Sequence, residues 1–455
     1  MATRKTASAK SDTADKTKST RKNTHTNIDT SDALKQARQR RQAVVQHLHT
    51  RNRHLADKAE ILMANAGSVV EHSLSALVEQ HGEPPIPETT GLVPHTWYRI
   101  PLADGLSGDG SPFHCYLKKG SEDHLVIFLS GGGVAWNEYT AARPVTGSRM
   151  AAGEPNFYWN NLRPITQLMN INIGITEADT AHNPFRDWNF LVIPYTTGDF
   201  HVGNRDVPYI DEAGTPQILH CHGAANVQAA LRVCRSYFPN PDKLLIAGDS
   251  AGGFAVPACA GTIVDDWYPQ VSDITLFSDS AQLLCRSWQS IARDFWGAAP
   301  SVWGALETPN ITYDWYNSLL KSHPGKFRIL YATSTHDYLL SAYYNDMTTK
   351  VYQTTAGVRS AFYRQTKNMI HWLQDLSPDS AFFINNWVNP LFTKAQMGTV
   401  HTAVRQPYFY VPVKNGITMA SWLADAVDGK LYDVGMELLG RRKLPAAAKD
   451  TSDPS

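Results

Sequence analysis

Ser250 stands at the centre of Gly248-Asp249-Ser250-Ala251-Gly252, a five-residue run that can present a hydroxyl for attack on a carbonyl. A serine hydroxyl alone is a weak nucleophile. It needs a base to take its proton, a carboxylate to orient that base, and N–H donors for the oxyanion that forms. For the carboxylate, Asp337 follows the apolar run 328–332, and Asp279 follows the run 274–277. Asp337 is preferred and Asp279 is its rival, since an aspartate just past a strand also commonly caps the next helix. For the base, His401 lies in an irregular stretch, Gly398-Thr-Val-His-Thr-Ala403, and is preferred over His371, which sits among helix-compatible apolar residues. Gly131, Gly132 and Gly133 follow another apolar run, and glycine lets a backbone N–H approach a substrate oxygen closely. With the Ala251 N–H, Gly132 and Gly133 would make a three-donor hole. A phosphate-cradling role for these glycines is not supported, because no Lys-Ser/Thr pair follows them.

The elements that must hold these groups are legible around them. Leu244 to Ala247 reads as a short buried strand, and the small and apolar residues from Gly253 to Val264 read as a helix. Strand, G-x-S-x-G, helix is the context of a nucleophile elbow. Further strands are expected at 125–129, 190–194, 274–277 and 328–332, with an opening hairpin from 97–100 and 113–117. A helix is expected over 222–237. Unbroken apolar strands alternating with helices imply a parallel sheet covered on both faces, an α/β architecture that binds ligands at the carboxyl ends of its strands. The order Ser, then Asp, then His along the chain is that of the α/β-hydrolase fold.

The 455 residues divide into four expected regions: a disordered basic tail over 1–30, a helical extension over 31–88, the catalytic domain over 89–440, and a disordered C-terminal tail over 441–455. The extension is expected either to pack on the main domain or to mediate self-association into a homo-oligomer. The net charge of zero hides an asymmetry, because residues 1–60 carry 14 Lys and Arg against 6 Asp and Glu. The main body is therefore acidic, and nucleic acid is not an expected partner. No run of 18 apolar residues occurs, so no membrane span is expected. The N-terminus lacks the apolar stretch of a secretory signal, and the 5 cysteines form no C-x-x-C pair. A cytoplasmic location is the expectation that follows. His220, Cys221 and His222 hint at metal, yet only the two histidines would share a strand face and no third ligand stands nearby in the sequence. Neither a metal nor a cofactor is expected.

Several stretches in order resemble the pectin acetylesterase/Notum family of serine esterases. They are Asp109-Gly110-Ser111-Pro112, the glycine run after Leu129-Ser130, Asn183 to Asn189, Pro194 to Gly203 and Gly248 to Gly253. Ser278-Asp279-Ser280, Asp337, His401 and Trp422 to Val427 continue the likeness, which spans roughly residues 95–430. It implies an α/β-hydrolase fold, the triad Ser250, Asp337 and His401, and oxyanion donors at Gly132, Gly133 and Ala251. It also implies that Asp199 and His201 line or support the site. The chain departs from the family at Ser130, where a Glu is usual, at Val134-Ala135, where an aromatic-Cys pair is usual, and at Thr196, where a Cys is usual. These departures point away from pectin itself and toward small acetylated sugars or other short-chain esters. The expected function is a serine carboxylesterase acting on a small-molecule or carbohydrate ester. The alternatives are a non-catalytic binding protein of the same fold, or a depolymerase or thioesterase with a larger acyl substrate.

Overall fold

Apolar side chains at every position of a strand need cover on both faces, and the sheet supplies it. The computed structural model describes residues 91–146, 149, 154–162, 170–388 and 398–440. The calls for 1–30, 31–88 and 441–455 lie outside the described residues. The strands are β1 (Trp97–Leu106), β2 (Pro112–Lys118), β3 (His124–Leu129), β4 (Asn189–Ile193), β5 (Arg205–Ile210), β6 (Pro216–Cys221), β7 (Lys243–Asp249), β8 (Asp273–Asp279), β9 (Arg328–Ser334) and β10 (Ser380–Asn385). Eight of them form one sheet in the order β1-β2-β4-β3-β7-β8-β9-β10. The β1–β2 and β2–β4 pairs are antiparallel, and every later pair is parallel. This is the mostly parallel sheet of an α/β-hydrolase.

The period of two along each strand divides the core. Leu125, Ile127, Leu129, Leu244 and Ile246 join one cluster, packed against α1 (Gly223–Tyr237), α2 (Ala251–Thr262), α3 (Ile311–Ser322) and α5 (Ala356–Leu376). Val126, Phe128, Leu245 and Ala247 join the other, which α6 (Met419–Val427) covers with Trp422 and Leu423. Burying each such Leu or Ile is worth about 1.5–3 kcal/mol. The central strands β3, β7 and β8 are therefore the most secure frame in the molecule, and their carboxyl ends carry the site.

The structure differs from the sequence reading in three places. The helix after Ser250 begins at Ala251 rather than Gly253, because the turn is complete within Ser250 itself. The helix expected from His222 begins at Gly223, with His222 as its capping residue. β5 and β6 pair as a separate antiparallel hairpin. That pairing brings Asp206 to His220 and His222, and so corrects the reading that no third ligand stands near the two histidines.

Candidate active site

β7 delivers Ser250 to the carboxyl edge of the sheet and α2 leaves from it at once. The serine backbone sits at φ 50°, ψ −123°, a conformation that costs a non-glycine residue about 1–3 kcal/mol. Close packing of strand and helix holds it there. A Cβ at Gly248 would meet the Gly252 backbone, and a Cβ at Gly252 would overlap the Leu129 carbonyl oxygen on β3. Ser250 N–H also donates to the Asp279 carbonyl at 2.8 Å, tying the turn to β8.

The acid comes from the end of β9. Asp337 is fully buried and caps α4 (Tyr338–Thr349), its Oδ1 accepting the N–H groups of Leu339 and Leu340 at 3.0 and 3.0 Å. Its other oxygen, Oδ2, faces His401 Nδ1 at 2.6 Å. His401 Nε2 in turn lies 2.8 Å from Ser250 Oγ. Ser250, His401 and Asp337, from three distant segments, thus form one continuous hydrogen-bonded line. Burial alone would lower the His401 pKa, but the charge and hydrogen bond of Asp337, with Asp279 and Asp249 farther off, outweigh burial and raise it.

The loop bearing His401 is fixed on both sides. Thr399 N–H donates to the His336 carbonyl at 2.9 Å, and the Ser334 hydroxyl donates to the Val400 carbonyl at 2.6 Å. Asp279 acts on the far side. Its Oδ2 accepts the N–H groups of Ala403 and Val404 at 2.6 and 2.9 Å, and its Oδ1 accepts the Ser280 hydroxyl at 2.9 Å. Burial pushes its pKa up to about 6, against those hydrogen bonds. Asp279 therefore seats the loop and makes no hydrogen bond to the imidazole. His371 lies on α5, its Nδ1 turned to Gln374 at 3.1 Å, and is not brought to Ser250.

Gly131, Gly132 and Gly133 leave β3 beside the elbow. Gly131 N–H is taken up by Asp249 Oδ1 at 2.7 Å. The N–H groups of Gly132, Gly133 and Ala251 have no backbone acceptor among the described residues. Gly133 has φ 86°, and a Cβ there would overlap the Phe157 carbonyl, so this shape of the loop requires glycine. His201 supports the start of this loop, and Asp199 accepts the His201 backbone N–H. His201 donates from Nε2 to the Ser130 carbonyl at 2.9 Å, and Asp199 accepts from Thr197 Oγ1, His201 N–H and Gly223 N–H at 2.6, 3.1 and 2.8 Å. Burial lowers the His201 pKa to about 4, with Arg405 adding to the fall, so the ring is a neutral donor near pH 7.

One functional pair was missed in the sequence. Arg405, four residues past His401, binds the Asp249 carboxylate with Nη2 at 2.8 and 3.0 Å and with Nε at 3.1 Å. Its Nη1 reaches Ser130 Oγ at 3.0 Å and Asn170 Oδ1 at 3.1 Å. A single buried guanidinium so joins the elbow, the glycine loop and the histidine loop. The available signal was Asp249 itself, since a carboxylate at the end of a buried strand calls for a counter-charge. Arg405→Met would strand that carboxylate, and we expect about 3–5 kcal/mol of stability to be lost in thermal or denaturant unfolding. A loss under about 1 kcal/mol would show that the pair does not hold the site together.

As an arrangement of groups, this is a hydroxyl with a base, an orienting carboxylate and amide donors, the set used for acyl transfer. No curated protein matches the chain. The family model described as pectinacetylesterase matches residues 103–284, from β1 to just past β8, and includes the glycine loop and Ser250. Over those residues the chain is similar to the pectinacetylesterase family, and the sheet order and the strand–Ser250–helix junction agree with that likeness.

Proposed function

We propose that the protein is a serine carboxylesterase that removes acetyl or other short acyl groups from carbohydrate or small-molecule alcohols. The observation that carries this reading is the unbroken line Ser250 Oγ–His401 Nε2, 2.8 Å, and His401 Nδ1–Asp337 Oδ2, 2.6 Å. In the proposed cycle His401 Nε2 takes the Ser250 proton as Oγ attacks the ester carbonyl. The oxyanion is met by the N–H groups of Gly132, Gly133 and Ala251. Collapse expels the alcohol, which leaves with the proton from His401, and the acyl group stays on Ser250. Water, deprotonated by His401, then attacks the acyl carbonyl. The acid is released and the proton returns to Ser250. Asp337 holds the imidazole in the productive tautomer throughout. We place this activity in the cytoplasm, a reading supported by five cysteines that are all unpaired.

The base works only when neutral, and the His401 pKa is raised above its ordinary 6.5. Activity should therefore fall as pH drops through a value above 6.5, with kcat/KM against pH as the measurement. An acid limb well below 6.5 would remove His401 as the base. The substrate class is tested with p-nitrophenyl esters from acetate to octanoate, beside acetylated sugars and acetylated pectin. Acetate is expected to exceed octanoate in kcat/KM by at least about tenfold, since even one methylene beyond what an acyl pocket accepts is worth about 10-fold or more. A preference for octanoate would reject the short-acyl part of the proposal and leave the catalytic line untouched.

A further inference from the structure

The β5–β6 hairpin carries a side-chain cluster that the esterase cycle does not use. Asp206 on β5 stands directly opposite His220 on β6 in the register, so the two side chains share one face. His222, two residues farther on, returns to that face. His220 Nδ1 lies 2.6 Å and His222 Nε2 2.9 Å from the same carboxylate oxygen, Asp206 Oδ1. The two rings stand at 89° with centroids 5.6 Å apart, so their nitrogens converge from different directions. All three donor atoms lie within 4.8 Å of one another. Asp206 is 55% exposed and the histidines 20% and 28%, which leaves one side open to water. Partial burial pushes the Asp206 pKa up, but hydrogen bonds and charge from the two histidines outweigh it and hold the carboxylate ionised.

We propose that Asp206, His220 and His222 form a binding site for a divalent transition-metal ion of the zinc class. Two imidazole nitrogens and one carboxylate oxygen are a borderline-soft set that suits Zn²⁺, whereas Ca²⁺ and Mg²⁺ favour oxygen ligands alone. Three protein ligands and a water complete a tetrahedron, with metal–nitrogen distances of about 2.0–2.1 Å. Ligation shifts the ring protons of neutral His220 and His222 to their outer nitrogens, or releases a proton if either ring is charged. Affinity therefore weakens as pH falls.

The place of the cluster says what the ion would do. His222 occupies the N-cap position of α1 (Gly223–Tyr237), and the Gly223 N–H donates to Asp199, the buried carboxylate that also accepts the N–H of His201, whose ring bonds the Ser130 carbonyl before the glycine loop. An ion here fastens the hairpin to the start of α1 and so stiffens the frame under Gly131–Gly133. It is a structural site, independent of the Ser250 chemistry.

The test uses the full chain, stripped with a chelator and titrated with Co²⁺ followed by its visible absorption, then with Zn²⁺ in competition against a chromophoric chelator. One equivalent of Co²⁺ should bind with the intense bands of a four-coordinate site, and Zn²⁺ should displace it and raise Tm by a few degrees. H220A/H222A, and separately D206N, should weaken binding by about 100-fold or more, the upper range of what losses outside the ligand set already cost. Circular dichroism of each variant checks that it folds, and D206N serves alone if the double variant does not. No saturable Co²⁺ binding, or binding undiminished in a folded variant because histidines elsewhere in the chain take the ion, overturns the proposal.

Discussion

Ser250→Ala is expected to lower turnover of p-nitrophenyl acetate by about 10⁶-fold while leaving the unfolding temperature near that of the parent. The size follows from how the groups act together. Without Oγ no acyl-enzyme forms, and His401 and Asp337 have no proton to move, so only the amide donors of the glycine loop remain. The fold survives because alanine meets the same backbone strain at φ 50° and removes no atom that the core uses; Ser250 Oγ faces His401. Turnover that persists undiminished in a folded S250A protein would reject Ser250 as the nucleophile.

Asp337→Asn carries the second largest effect, a fall in kcat of about 10⁴-fold. Asparagine is as good a helix cap as aspartate, so the bonds from Leu339 and Leu340 persist and α4 stays in place. What is lost is the negative charge beside Nδ1, and with it the tautomer that aims a lone pair at Ser250. The same charge is the largest single source of the upward pull on the His401 pKa, so the acid limb of kcat/KM should also move to lower pH in this variant. Asp279→Asn separates position from charge. It should shift the limb less, because Asp279 is the weaker source of that pull, and should act through the seating of Ala403 and Val404. Equal shifts in the two variants would contradict the division of roles.

How much of this could be read in the sequence depends on how local each feature is. The elbow was legible because its steric demands fall within five residues and the elements on either side. The central strands were legible because cover on both faces leaves them apolar throughout. The choice between Asp337 and Asp279 was harder, since both follow strands and both sit where helix caps occur. Only the fold reveals that Asp279 is occupied by Ala403 and Val404 while Asp337 keeps an oxygen for the imidazole. Arg405 and Asp249 are 156 residues apart, and nothing in either neighbourhood names the other. Asp206 was hidden for a related reason. Its nearness to His220 exists only through hairpin register, and residues 205–210 alternate too weakly to announce a strand.

The central claim is that Ser250 is held as an activated nucleophile by His401 and Asp337. The most direct measurement is reaction of the intact protein with a fluorophosphonate, followed by whole-protein mass and by mapping of the modified peptide. The account predicts a single adduct, on Ser250, that is absent in S250A and forms far more slowly in H401A. An adduct on another residue, or none at all on a folded parent protein that still hydrolyses esters, would contradict it.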